Sequence, residues 1–180
     1  MMITSGGGNC YALALHKTDS CSLADAHMSN HRHLIAQTSC PEKLMRLTCI
    51  AYTKHFNAKY SRKGPLGEAS YFCDEINGLY HLLAALSYVM RNALHHGVAS
   101  TPFSYPHCSA NVIFRQALGK VSECSLLNHS FKHRFVGRNV KIPDGYLMDK
   151  SGLILREYVT AVQQVELLFT SPPQFSILHE

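Results

Sequence analysis

His31 and His33 stand two residues apart in the run HMSNHRHLI, a spacing with chemical consequences. Residues i and i+2 of a strand point to one face, so a strand over residues 31–37 makes the two imidazoles neighbours able to share a metal ion. The same triplet suits two surface or hydrogen-bonded histidines. Tyr88 and Asn92 are four residues apart. On a helix that spacing sets their Cβ atoms about 5–6 Å apart on one face, which suits a phenol nucleophile beside a metal ligand. A tyrosine on the polar side of an amphipathic helix has the same pattern. The third group is basic: Lys43, Arg46, Lys54, Lys59, Arg62 and Lys63, with Glu42 the one acid between positions 42 and 63. Lysine and arginine contacts to phosphates supply most sequence-independent affinity for nucleic acid. Tyr52, Phe56 and Tyr60 are interleaved with them and could stack on bases, although Tyr52 and Phe56 also fall on a packing stripe. A solvated helix face is the competing reading.

The elements that must position these residues follow from local patterning. Pro41 and Glu42 mark a helix start, the first by its fixed φ and the second by complementing the helix dipole, and the helix is expected over residues 41–60. Met45, Cys49, Tyr52 and Phe56 form its expected apolar stripe, while Lys43, Arg46 and Lys54 return on another face. Asn77-Gly78 breaks the chain before the strongest helix, expected over residues 79–92, where Leu79, Leu82, Leu83, Leu86 and Met90 share one stripe. Tyr88 lies almost opposite, with His81, Asn92 and, if the helix continues, His95. A short strand over residues 71–76 and a helix over 111–120 are also expected. Residues 11–16 suit a short helix or strand, and Gly6-Gly7-Gly8 reads as a flexible start.

Composition sets the outer bounds. The 180 residues suffice for one core, and 17 Lys+Arg against 12 Asp+Glu give a formal charge of +5, which suits a polyanionic partner without demanding one. Seven cysteines with no CxxC pair argue against a disulfide framework or a zinc ribbon. No apolar run reaches the length of a membrane span, no basic leader opens the chain, and a cytoplasmic protein with reduced thiols is the simplest expectation.

The order of these motifs resembles the REP-associated tyrosine transposases, part of the single-tyrosine HUH family. HMSNHRHLI resembles the family's HUH segment, in which Asn precedes a His-x-His pair on a central strand. KLMRLTCIAYTKHFNAKYSRKGPLGE is similar to the next helix and its basic turn. GLYHLLAALSYVMRNALHHGVASTPFSYPHCSA resembles the nucleophile helix, with tyrosine followed four residues later by asparagine. The resemblance spans about residues 24–120, which leaves 1–23 as a flexible or truncated start and 121–180 as a C-terminal appendage of unassigned role.

The resemblance implies an α+β fold with a ferredoxin-like antiparallel sheet flanked by helices, the N-terminal strand having no convincing counterpart here. It implies Tyr88 as nucleophile, with His31, His33 and Asn92 holding a divalent metal, Mg²⁺ or Mn²⁺, the mixed nitrogen and oxygen set somewhat favouring Mn²⁺. The implied partner is single-stranded or hairpin DNA, cut and rejoined through a 5′-phosphotyrosine; a homodimer is allowed and no membrane is involved. Two further departures concern residues. Arg32 replaces the usual apolar residue between the histidines and must reach water or a carboxylate, because an unpaired buried charge is costly. Ala93 replaces a common proline. The rival reading is a decayed or domesticated relative that binds hairpin DNA without cutting it.

Overall fold

The computed structural model describes residues 5–67, 71–115, 136 and 140–169. Helix α1 (Ser5–Lys17) leads into an antiparallel hairpin of β1 (Cys21–His27) and β2 (Arg32–Gln37). Helix α2 (Pro41–Lys59) follows, then α3 (Leu79–His95) and the short α4 (Val162–Leu167). Among the described residues the class is α+β, a two-stranded antiparallel sheet with four α-helices.

The hairpin divides two cores because successive strand residues point to opposite faces. Ala24, Ala26 and Ile35 pack with Leu86, Val89 and Met90 of α3. Leu34 and Ala36 pack on the other side with Tyr11, Leu13 and Leu15 of α1 and Leu44 of α2. Ala26 pairs with His33, and Asp25 with Leu34. His33 therefore shares the α3 face with Ile35, and Arg32 shares the α1 and α2 face with Leu34.

Several expectations are corrected. The glycine run is helical from Ser5 instead of a flexible start, and close packing explains it: a Cβ at Gly6 would sit 2.2 Å from the His55 ring, and one at Gly7 would sit 3.1 Å from Arg32 Nη2. Small residues bring α1 against α2 and the sheet, and that burial offsets the poor helix propensity of glycine. The strand expected at 31–37 begins at Arg32, and residues 21–27 form its partner strand, which the sequence reading left unassigned. On α2 the buried positions are Leu44, Thr48 and Phe56, while Cys49 is exposed, so the stripe is turned by about one residue toward α1. Residues 71–76 form no strand. Instead of a helix, residues 111–115 continue a 3₁₀ turn (Ser109–Asn111) into further turns, with Phe114 at φ 58°; residues 116–120 lie outside the described residues.

Part of the expected appendage is built into the core, since Val165 and Phe169 join the α3-side cluster. Thr160 bridges Ser22 in parallel and Cys108 bridges Ala26 antiparallel, so β1 is paired on both edges. Asn9 Nδ2 donates to the Gly152 carbonyl at 2.6 Å, and its Oδ1 accepts from the Ile154 N–H at 2.8 Å.

Arg156, from the same region, forms a buried ion pair with Asp25. His27 Nε2 lies 3.0 Å from Asp25 Oδ2, and the His27 ring meets Tyr11 edge-on. Burial would raise the Asp25 carboxyl, but the Arg156 charge and the adjacent His27 outweigh it and hold the group at about 2. Burial lowers His27 from 6.5 to about 4, against the opposing pull of Asp25. The unfolded chain therefore binds a proton on His27 at a higher pH than the folded one. Stability is full above about 6.5 and falls as pH drops toward about 4, a loss on the order of 3 kcal/mol from this group. Urea midpoints across that window should decline with acidity in the wild type, and the decline should flatten in His27→Gln. Equal slopes in the two proteins would show that other groups set the acid limb.

Candidate metal and tyrosine site

β2 and α3 bring the first two constellations together. The His31 and His33 rings meet edge-on with centroids 4.9 Å apart, and the Tyr88 ring stands edge-on to His33 at 5.1 Å. The two rings meet because His33 occupies the α3-facing phase of β2. Tyr88 is 46% exposed, so its ring packs while a path to solvent remains. Burial lowers the His33 pKa, and the nearby His31 and His96 act in the same direction. A neutral imidazole keeps the lone pair that a metal ligand needs.

His31 sits just before the first residue of β2. Its Nδ1 lies 2.8 Å from Asn30 Oδ1. The amide oxygen can only accept, so in this contact Nδ1 is the donor and Nε2 is the ring nitrogen left for another partner. The asparagine preceding the His-x-His pair thus has a geometric role, that of orienting the first imidazole.

Asn92 departs from the simple one-face picture. It is fully buried, whereas Tyr88 one turn earlier is exposed, and neither Asn92 amide atom has a hydrogen-bond partner. An unpaired buried amide costs about 1–3 kcal/mol, so its oxygen is a donor atom without an internal use. The expected companions of Tyr88 on that face, His81 and His95, are exposed, and His81 Nδ1 accepts instead from the Asn77 N–H at the start of α3, at 3.3 Å.

His96, which no sequence motif singled out, lies beside His31. It caps α3, its N–H donating to the Asn92 carbonyl, and its ring lies 5.3 Å from that of His31. Gly97 (φ 64°) ends the helix by reversing the chain, with its N–H on the Leu94 carbonyl at 2.9 Å. The available signal was His-His-Gly at a helix end, where glycine fixes which histidine is the last. Among the described residues no three His, Cys, Asp or Glu side chains converge as a ready-made metal cage.

Arg32 is only partly buried and keeps access to solvent, and an aromatic ring serves it as well. Its guanidinium lies over the Tyr52 ring, 4.1 Å from the centroid, half-buried in the gap that Gly7 leaves open. A cation over an aromatic face gains about 0.5–2 kcal/mol, the upper end applying when it is desolvated. The charge between the two histidines is therefore accommodated on the side of the sheet away from Tyr88.

Lys43, Arg46, Lys54, Lys59, Arg62 and Lys63 are all exposed, on α2 and the turn after it. Tyr52 faces Arg32, so α2 occupies the layer across the sheet from α3. These cations are not brought to the tyrosine. Phe56 is buried and Tyr52 half-buried, which removes them as base-stacking surfaces, while Tyr60 is exposed with Lys59 Nζ 5.6 Å from its ring centroid.

No family of known proteins, curated protein or solved structure matches this chain. No helix among the described residues is long and apolar enough to cross a membrane.

Proposed function

We propose that this chain is a single-tyrosine HUH transposase-like enzyme that cleaves and rejoins single-stranded or hairpin DNA through a 5′-phosphotyrosine on Tyr88. The observation that carries this reading is the packing of Tyr88 against His33, with His31 beside it. The order α1-β1-β2-α2 also suits the interior of a ferredoxin-like βαββαβ unit, with both helices on one face of the hairpin.

Three features support a divalent ion in this reading: two adjacent imidazoles, an Asn30 contact on His31 Nδ1, and, one turn beyond Tyr88, a buried Asn92 amide with no partner. His31, His33 and the Asn92 oxygen would hold Mg²⁺ or Mn²⁺. Such an ion supplies Lewis-acid polarisation of the scissile phosphate and offsets developing charge. Tyr88 Oη attacks phosphorus in line, the bond to the 3′-oxygen breaks, and the product is a tyrosine ester of the 5′-phosphate with a free 3′-OH. The phenolic proton passes to solvent at this half-exposed ring, and the departing 3′-oxygen takes one up, so the step consumes no proton or nucleotide. A second 3′-OH reverses the chemistry and transfers the strand. Packing against His33 limits the motion of the phenol and lowers the entropic cost of alignment.

A labelled single-stranded hairpin incubated with the protein and Mn²⁺ should yield a denaturant-resistant protein–DNA adduct. Failure with every hairpin and divalent metal tried would leave the non-cutting binder as the reading. Arg32, which favoured that rival on sequence alone, is accommodated away from the tyrosine.

The basic α2 face would hold the part of the DNA that passes round the sheet edge. Replacing Lys43, Arg46 and Lys54 with alanine should weaken hairpin binding broadly and flatten its dependence on salt, because each lost phosphate contact releases fewer counterions. All three are exposed, so thermal stability should be unchanged. A wild-type salt slope in the triple variant would show that the face is merely solvated.

A further inference from the structure

We infer that the exposed face of α3 is a track for single-stranded DNA, with Tyr80 the stacking platform for a base a few nucleotides from the phosphate at Tyr88. This deepens the proposed function and rests on it in one respect, Tyr88 as the reacting residue; exposure and charge carry the rest.

The cations of α2 lie across the sheet from Tyr88, so another surface must hold the strand beside the nucleophile. At about 100° per residue, Tyr80, Ala84, Tyr88, Arg91 and His95 fall within an arc of about 80° on α3. Ser87 and Asn92, both fully buried, flank this strip in the second half of the helix. Tyr80 is 82% exposed, which leaves its ring almost no packing role. A single strand offers unstacked base faces, and aromatic side chains bind them whatever the sequence. Ala84, between the two tyrosines, sets no bulk in the way. The eight residues from Tyr80 to Tyr88 span about 12 Å of helix axis, roughly three to four nucleotides at about 3.4 Å each.

Charge selects the occupant. No Asp or Glu occurs between Glu75 and Glu123, a stretch that contains all of α3 with its Arg91 and His95. A phosphate backbone passing along the strip therefore meets cationic or neutral side chains and no carboxylate of the helix itself. Asp74 and Glu75 precede α3, and their charge turns the strand from Tyr80 toward the Arg91 end of the helix, away from residues 71–78. The track requires no metal and leaves His31, His33 and Asn92 in the roles proposed for them, since none of the three lies on the strip.

The test is equilibrium binding of a labelled mixed-sequence single strand to the full chain with chelator present, read by anisotropy and, with 2-aminopurine placed at successive positions, by base fluorescence. The wild type should bind and quench 2-aminopurine where it stacks. Tyr80→Ala should lose that quenching and bind at least about fivefold more weakly, the loss of one base–aromatic stack, whereas Tyr80→Phe keeps the ring and should stay within about twofold of wild type. The salt slope should not change in Tyr80→Ala, because stacking releases no counterions. Tyr80 is exposed, so its variants should melt with the wild type. Phe72→Ala removes a ring that is 92% exposed but stands two residues before Asp74, and it should match the wild type. Wild-type affinity in Tyr80→Ala, an equal loss in Phe72→Ala, or no single-strand binding by the wild type overturns the inference. A Tyr80-dependent loss without any covalent adduct from wild type keeps the track and refutes cleavage. An adduct from wild type, with undiminished binding by Tyr80→Ala, does the reverse.

Discussion

Tyr88→Phe is expected to abolish covalent attachment to DNA while leaving hairpin affinity within about twofold of wild type, because attachment needs a nucleophilic oxygen and binding does not. The substitution keeps the ring, hence the edge-on packing on His33 at 5.1 Å, and removes only the hydroxyl of a half-exposed side chain. Neither the fold nor the imidazoles should change. His31→Ala should also abolish attachment, by a different route. It removes the imidazole that neighbours both His33 and His96, so metal affinity should fall along with activity. Metal titration separates the two variants: Tyr88→Phe should retain the wild-type isotherm, and His31→Ala should not. An adduct that persists in Tyr88→Phe at the wild-type rate would assign the nucleophile elsewhere and remove the main support for the proposed mechanism.

The second large effect is on stability. Asp25→Ala is expected to cost about 3–5 kcal/mol, the range for breaking a buried pair by removing one partner. Asp25 is fully buried and Arg156 nearly so, and the two are joined across 131 residues of sequence. Without the carboxylate, the guanidinium remains in the interior with, among the described residues, the Pro106 carbonyl 3.4 Å from Nε as its acceptor. Ser109 Oγ accepts from the Asp25 N–H at 2.9 Å, so the strand backbone itself stays anchored. Replacing both partners by leucine should recover much of the loss, since no unpaired charge is left behind. Urea unfolding of the two single variants and the double variant measures this. A cost below about 1 kcal/mol for Asp25→Ala would mean that Arg156 finds water or another partner when the acid is gone. Ala26, next in β1, pairs with His33, so loosening this strand should reach the histidines.

How far the sequence determined the molecule depends on the range of the forces involved. Pro41 and Glu42 at the start of α2, Gly78 (φ 81°) before α3, and the Leu86 and Met90 core positions were legible, because capping, glycine conformation and helical periodicity act within a few residues. The His-x-His spacing and the position of Tyr88 off the apolar stripe were legible for the same reason. That the two would meet was an expectation that spacing alone could not decide, since their contact depends on which strand phase faces α3. Tertiary packing alone decided that Gly6 and Gly7 lie inside a helix, where missing Cβ atoms admit His55 and Arg32. It also buried the Asn92 amide, set the His96 ring beside His31, and brought Arg156 to Asp25. Each of these outcomes turns on contacts between segments far apart in the chain, whose energies exceed local propensity and leave no periodic trace in the sequence.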